Sequence, residues 1–106
     1  MRTPFHHTAI WYDRHTRSWV VQRLDAENNQ IADADFVATK PEAVRIKNSH
    51  LIWRYLAAYK ASALKPFGGD VLVVAGWFKV ISGTSRIIVR EKEFIAMCER
   101  LEARVK

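Results

Sequence analysis

Thr39–Lys65, TKPEAVRIKNSHLIWRYLAAYKASALK, is the stretch on which the fold turns. Thr39 and Glu42 have capping-box spacing: the threonine hydroxyl can take the third helical amide while the glutamate reaches back to the cap amide. Pro41 lies between them in the first turn, where a missing N–H costs little. At about 100° per residue, Val44, Leu51, Ile52, Tyr55, Leu56 and Tyr59 fall on one broad side, which is the expected core face. Lys47, His50, Arg54 and Lys65 cluster on a different side, bordered by Ile46, Trp53 and Ala57, and this predicts an exposed basic and aromatic contact face. Asn48 and Ser49 are weak helix formers, so the stretch is one helix or two joined near residue 48.

Working back toward the N-terminus, His7–Asp13 and Trp19–Leu24 are rich in β formers and read as two strands around the polar loop Arg14–Arg17. Asn28 and Asn29 tolerate positive φ, so a two-residue turn centred there pairs Val21 with Phe36, Trp19 with Ala38 and Val20 with Val37. Residues 1–6 carry no periodic signal and read as a loose tail. Toward the C-terminus, Pro66-Phe67-Gly68-Gly69 should stop the helix, with glycine taking the left-handed cap. Asp70–Ala75, DVLVVA, is apolar without alternation and reads as a strand in the middle of a sheet. Trp77–Ser82 and Ser85–Arg90 flank Gly83-Thr84 as a further hairpin. Glu91–Val105 repeats Phe94, Cys98, Leu101 and Val105 at helical spacing, with Glu91 and Glu93 in the first turn. The expected fold is α+β: one domain over residues 1–106, with a mainly antiparallel sheet packed against the long central helix and a C-terminal helix.

With 106 residues, 49% hydrophobic and 26% charged, the chain suits one globular core rather than a disordered segment. No apolar run approaches a membrane span, and residues 1–10 lack the apolar centre of a signal peptide. Together with the single Cys98, which cannot form an internal disulfide, this points to the cytoplasm and away from a membrane. The net charge of +6 is lopsided: residues 36–90 hold nine Lys and Arg against two acids, whereas residues 1–35 hold four against five. Such a block steers polyanions or acidic proteins toward one part of the fold.

No catalytic pattern is present. His6, His7, His15 and His50 show no ligand spacing with Cys98, Cys98 lies on the apolar stripe of the last helix, and the Gly68-Gly69 and Gly83-Thr84 turns match no phosphate-binding fingerprint. The expectation is therefore a non-enzymatic module with no cofactor, metal or small-molecule ligand. Its candidate binding residues are Lys40, Arg45, Lys47, His50, Trp53, Arg54, Lys60, Arg86 and Arg90. The first reading is a regulatory adaptor or self-associating protein that uses the basic and aromatic helix face. The alternative is a DNA- or RNA-binding domain in which the cations of residues 36–90 contact phosphates. Trp19–Val44, with its tight turn, aromatic and T-K-x-E-A helix start, resembles the hairpin-then-helix opening of arm-type DNA-binding domains of tyrosine integrases. It departs from them in placing Asp25, Glu27, Asp33 and Asp35 around the hairpin, and many unrelated hairpin–helix units share the pattern.

Overall fold

The computed structural model describes residues 5–105. Among them the order is β1 (His7–Asp13), β2 (Ser18–Leu24), β3 (Asp35–Val37), α1 (Lys40–Ala63), β4 (Asp70–Val74), β5 (Trp77–Ser82), β6 (Ser85–Val89) and α2 (Glu91–Ala103). The fold is α+β, and the order βββα occurs twice. The strands make two separate three-stranded meanders, β1-β2-β3 and β4-β5-β6, antiparallel throughout. Contacts divide the chain into two compact units, Met1–Leu51 and Ile52–Lys106, with the division falling inside α1.

In the first unit, β1 and β2 pair from His7–Leu24 to Asp13–Ser18. The Arg14–Arg17 loop lacks glycine; instead Asp13 accepts bonds from the His15 N–H (3.2 Å) and the Thr16 hydroxyl (2.9 Å), while Arg17 adopts φ 54°. The second turn departs from the two-asparagine expectation. Only Asn28 has positive φ, and the buried Asp25 carboxylate organises the loop by accepting from the backbone N–H groups of Glu27 and Asn29 and from the Asn29 amide. Leu24 consequently bridges Gln30, and β3 re-enters with Trp19 opposite Val37, Val20 opposite Phe36 and Val21 opposite Asp35. This is one residue away from the register the turn residues implied. The Gln22 side chain donates to the Ala32 carbonyl at 2.7 Å and holds the intervening segment. Residues 1–4 of the expected tail lie outside the described residues, but His6 is tied down, its N–H donating to the Leu24 carbonyl.

Helix α1 begins as its sequence implies, with the Thr39 hydroxyl accepting the Glu42 N–H at 3.3 Å. The Glu42 carboxylate takes the Thr39 hydroxyl rather than the cap amide. The helix runs unbroken through Asn48 and Ser49; the Ser49 hydroxyl bonds back to the Ile46 carbonyl at 2.8 Å, which absorbs its competing hydrogen-bond capacity. It ends at Ala63, before the Pro-Gly cluster, and Leu64 rather than a glycine takes the left-handed conformation, at φ 60°.

The second unit is built on rings. Phe94 of α2 stacks on Phe78 of β5 at 4.4 Å and on Tyr55 at 5.3 Å, while Phe67 packs edge-on against Tyr55 and Tyr59. Phe78, Val80, Phe94 and Cys98 are buried. Gly69 is required by close approach, because a Cβ there would run into the Ile81 carbonyl. The strand DVLVV is not central: β4 is an edge strand, with Val71 and Val73 half-buried and Asp70, Leu72 and Val74 exposed. An uninterrupted apolar run does not distinguish a strand covered on both faces from one whose outer face is apolar and open. The β4–β5 turn has Ala75 at φ 51° and Gly76 at φ 83°, the primed geometry that suits a two-residue hairpin. Among the described residues, no helix is long and apolar enough to cross a membrane.

Candidate functional site

The expected contact face of α1 does not survive as a single surface. Arg54 is only 8% exposed, and its guanidinium grips Glu102 of α2 through two bonds, Nε to Oε2 at 2.8 Å and Nη2 to Oε1 at 2.7 Å. Burial opposes the charge of Arg54, but the bonds and charge of Glu102, with help from Cys98 and Glu99, outweigh it and raise its pKa above the ordinary arginine value. An arginine so placed ties α2 to α1. His50 is half-buried, with Nδ1 2.9 Å from the Thr8 hydroxyl and its ring edge-on to Phe5. Burial, reinforced by the charge of Arg23 and opposed by Asp35, lowers its pKa. Lys47 is likewise half-buried, whereas Arg45 is exposed and Lys40 places its ammonium 5.7 Å from the Trp19 ring.

Trp53 is 74% exposed, as the angular argument required. It shares an open apolar strip with Leu56, Ala57, Lys60, Ala61 and Leu64. These positions recur at i, i+3, i+4, i+7, i+8 and i+11, the spacing of one continuous face of a helix. Leu56 had been placed by sequence on the core stripe, yet it belongs to this strip, as the core side of the second half of α1 is formed by Arg54, Tyr55 and Ala58. The helix is therefore apolar on two sides. Leu64 is the extreme case, at 88% exposure and with positive φ. A leucine in that conformation costs on the order of 1 kcal/mol relative to glycine, the usual occupant of a helix end of this kind. Neither packing nor backbone preference within the chain accounts for it.

Arg86 and Arg90 belong to a different surface. The outer side of β4-β5-β6 carries Asp70, Leu72 and Val74, then Trp77, Lys79 and Ile81, then Arg86 and Ile88. Arg90 follows β6 and lays its guanidinium 3.7 Å from the Trp77 ring centre, a close cation–π contact. The nine candidate residues thus divide into a group in the first unit (Lys40, Arg45, Lys47, His50), the α1 strip (Trp53, Lys60), a buried tie (Arg54) and a sheet face (Arg86, Arg90). Ala57 is grouped with Trp53 by the sequence itself, and Leu56, Ala61 and Leu64 extend the same helical spacing C-terminally.

Nothing in the described residues assembles three His, Cys, Asp or Glu side chains around a metal position. Cys98 is fully buried, and its thiol is pushed up to about 12, chiefly by burial, with the Arg54 charge pulling the other way. No protein-family model, curated protein or solved structure matches this chain.

Proposed function

We propose that the protein is a non-enzymatic interaction module that pairs with a second copy of itself through the Trp53–Leu64 strip of α1. The observation that carries this reading is Leu64, which is strained in backbone and almost wholly exposed at the end of an apolar strip. Strained backbone positions cluster at functional sites, where the surroundings or a partner over-determine them. The strip is also self-complementary. In an antiparallel helix pair centred between Ala57 and Lys60, Trp53 meets Leu64 of the other copy, Leu56 meets Ala61, and Ala57 meets the hydrocarbon stem of Lys60. The two alanines allow close approach at the centre, and the Lys60 ammonium reaches water at the edge. A strip of this length offers on the order of 400 Å² per copy, half of a standard stable interface, so the expected pairing is weak and concentration-dependent. The lone cysteine favours a cytoplasmic setting for this pairing.

The test is sedimentation velocity from about 1 to about 500 µM on wild type, Trp53→Ala and Leu64→Gly. Leu64→Gly relieves the backbone strain and deletes the anchor, so it should raise the unfolding temperature while weakening association at least tenfold, as judged by the dimer fraction. Opposite signs in one variant are not produced by general loss of folding. A wild type that stays monomeric throughout, or a Leu64→Gly protein that pairs as well as wild type, would refute the reading.

The nucleic-acid alternative draws on the exposed Lys40, Arg45, Lys60, Arg86 and Arg90. Phosphate-driven binding of duplex DNA, single-stranded DNA or RNA falls steeply between about 50 and 200 mM salt, whereas pairing through an apolar strip does not. The same sedimentation series with labelled oligonucleotides separates the two.

A further inference from the structure

The outer face of β4-β5-β6 is a second surface, distinct from the α1 strip, and its composition narrows what can lie on it. Register places the residues in rows: Asp70, Ile81 and Arg86 at one end, Leu72, Lys79 and Ile88 across the middle, and Val74 with Trp77 at the other end, where Arg90 closes over the ring. Most of these side chains are hydrocarbon, and Leu72, Val74 and Ile88 are each about half exposed, on the two outer strands. Lys79 sits in the centre of the face, half-buried, with its stem among them. Against three cations the face holds one acid, Asp70.

We propose that this face docks an acidic protein segment, whose aliphatic side chains cover Leu72, Val74 and Ile88 and whose carboxylates pair with Lys79 and Arg86. The charge pattern selects this occupant over the others. A two-fold, face-to-face pairing of copies sets the central residue against itself, so Lys79 would meet Lys79 across a drying interface. Base-edge readout of a nucleic acid needs a spread of donors and acceptors, and apart from its ends this face offers hydrocarbon and one ammonium. The one ring available for stacking already has the Arg90 guanidinium over it at 3.7 Å. A carboxylate ringed by aliphatic side chains meets both features of the face: the lysine gains a partner and the apolar surface is covered.

The probe is a fluorescein-labelled synthetic peptide of about twelve residues that alternates Leu and Val with Glu, long enough to cross the three strands. It is titrated into the full chain by anisotropy, with methyl NMR spectra recorded in parallel. The expected result is saturable binding that shifts the Leu72, Val74, Ile81 and Ile88 methyl resonances. Lys79→Glu should weaken it at least tenfold and Lys79→Gln less, while Lys60→Glu on the α1 strip should leave it unchanged. Circular dichroism confirms that each variant is folded, and Lys79→Gln preserves the test if reversal of the charge disturbs β5. The proposal is overturned if the peptide leaves those methyls unmoved, if a Lys-for-Glu peptide binds equally well, or if single-stranded DNA displaces the peptide and shifts the same methyls. Because the readout is peptide binding at the sheet, it stands or falls separately from self-association through α1.

Discussion

Arg54→Glu is the substitution on which the sequence and the structure disagree most. Read as a surface cation, Arg54 is replaceable at a cost within about 0.5 kcal/mol. In the structure, the change removes two charge-assisted bonds to Glu102, at 2.8 and 2.7 Å, and sets a carboxylate against Glu102 with Glu99 nearby. Breaking a buried ion pair costs about 3–5 kcal/mol. The Glu102 side chain is 41% exposed and can turn to water, whereas that of Arg54 is 6% exposed and cannot, so the expected loss lies near the low end, about 2–4 kcal/mol. In urea, with a denaturant slope of about 1–1.5 kcal/mol per molar for a chain of this size, the midpoint should fall by roughly 2–3 M or the protein should be unfolded outright. The paired replacement Arg54→Met with Glu102→Gln keeps the stem and removes both charges, and it should recover at least half of the loss. An Arg54→Glu protein that unfolds within about 0.5 kcal/mol of wild type would refute the buried tie.

Three further outcomes are expected. Ala75→Asn creates Asn-Gly at a turn whose first residue already has φ 51°, and should stabilise the protein by about 0.5–1 kcal/mol in thermal unfolding; a loss would mean the primed turn is misassigned. His50 has its pKa lowered below 6.5 by burial, so the unfolded chain binds this proton more readily than the folded one. Stability from this group is therefore full above about pH 6.5 and falls as pH drops below it, and His50→Gln should flatten urea midpoints compared between about pH 7.5 and 5. Cys98, with its thiol pushed up to about 12, should react with a thiol-specific disulfide reagent at about pH 8 only at the rate of unfolding; a fast stoichiometric reaction in the native state would contradict its burial.

Element type and order were legible because each carries its own local signal. The Thr39–Glu42 cap, the β-branched runs of β1 and β2, and the Gly83-Thr84 turn all depend on neighbours in sequence, and the structure has them where the residues put them. What failed depended on features the hydrophobic pattern does not carry. The register of β3 is one residue off the expected one because the Asp25 carboxylate folds a longer loop than two asparagines would, which shifts the returning strand. The position of β4 was unreadable for a different reason: apolar continuity reports that both faces of a strand avoid charge, and says nothing about whether a neighbour covers the second face.

The same limit decides how far the site could be read. Helical periodicity sets Trp53 and Arg54 about 100° apart, and the expected contact face took in both although Arg54, three residues after Leu51, borders the core stripe. The fold separates them by bringing the Glu102 carboxylate to one and leaving the other 74% exposed. Since Glu102 lies forty-eight residues away, no local pattern could have announced it. Yet the exposed side still left a trace: from Trp53 the apolar residues continue at helical spacing to Leu64, past the point where the core stripe needs them. An apolar stripe that outlasts its core contacts, and ends on a leucine where glycine would be easier, is surface that the chain's own folding does not require. That excess of exposed apolar surface, more than the positive charge around it, is what the proposed pairing through α1 would explain.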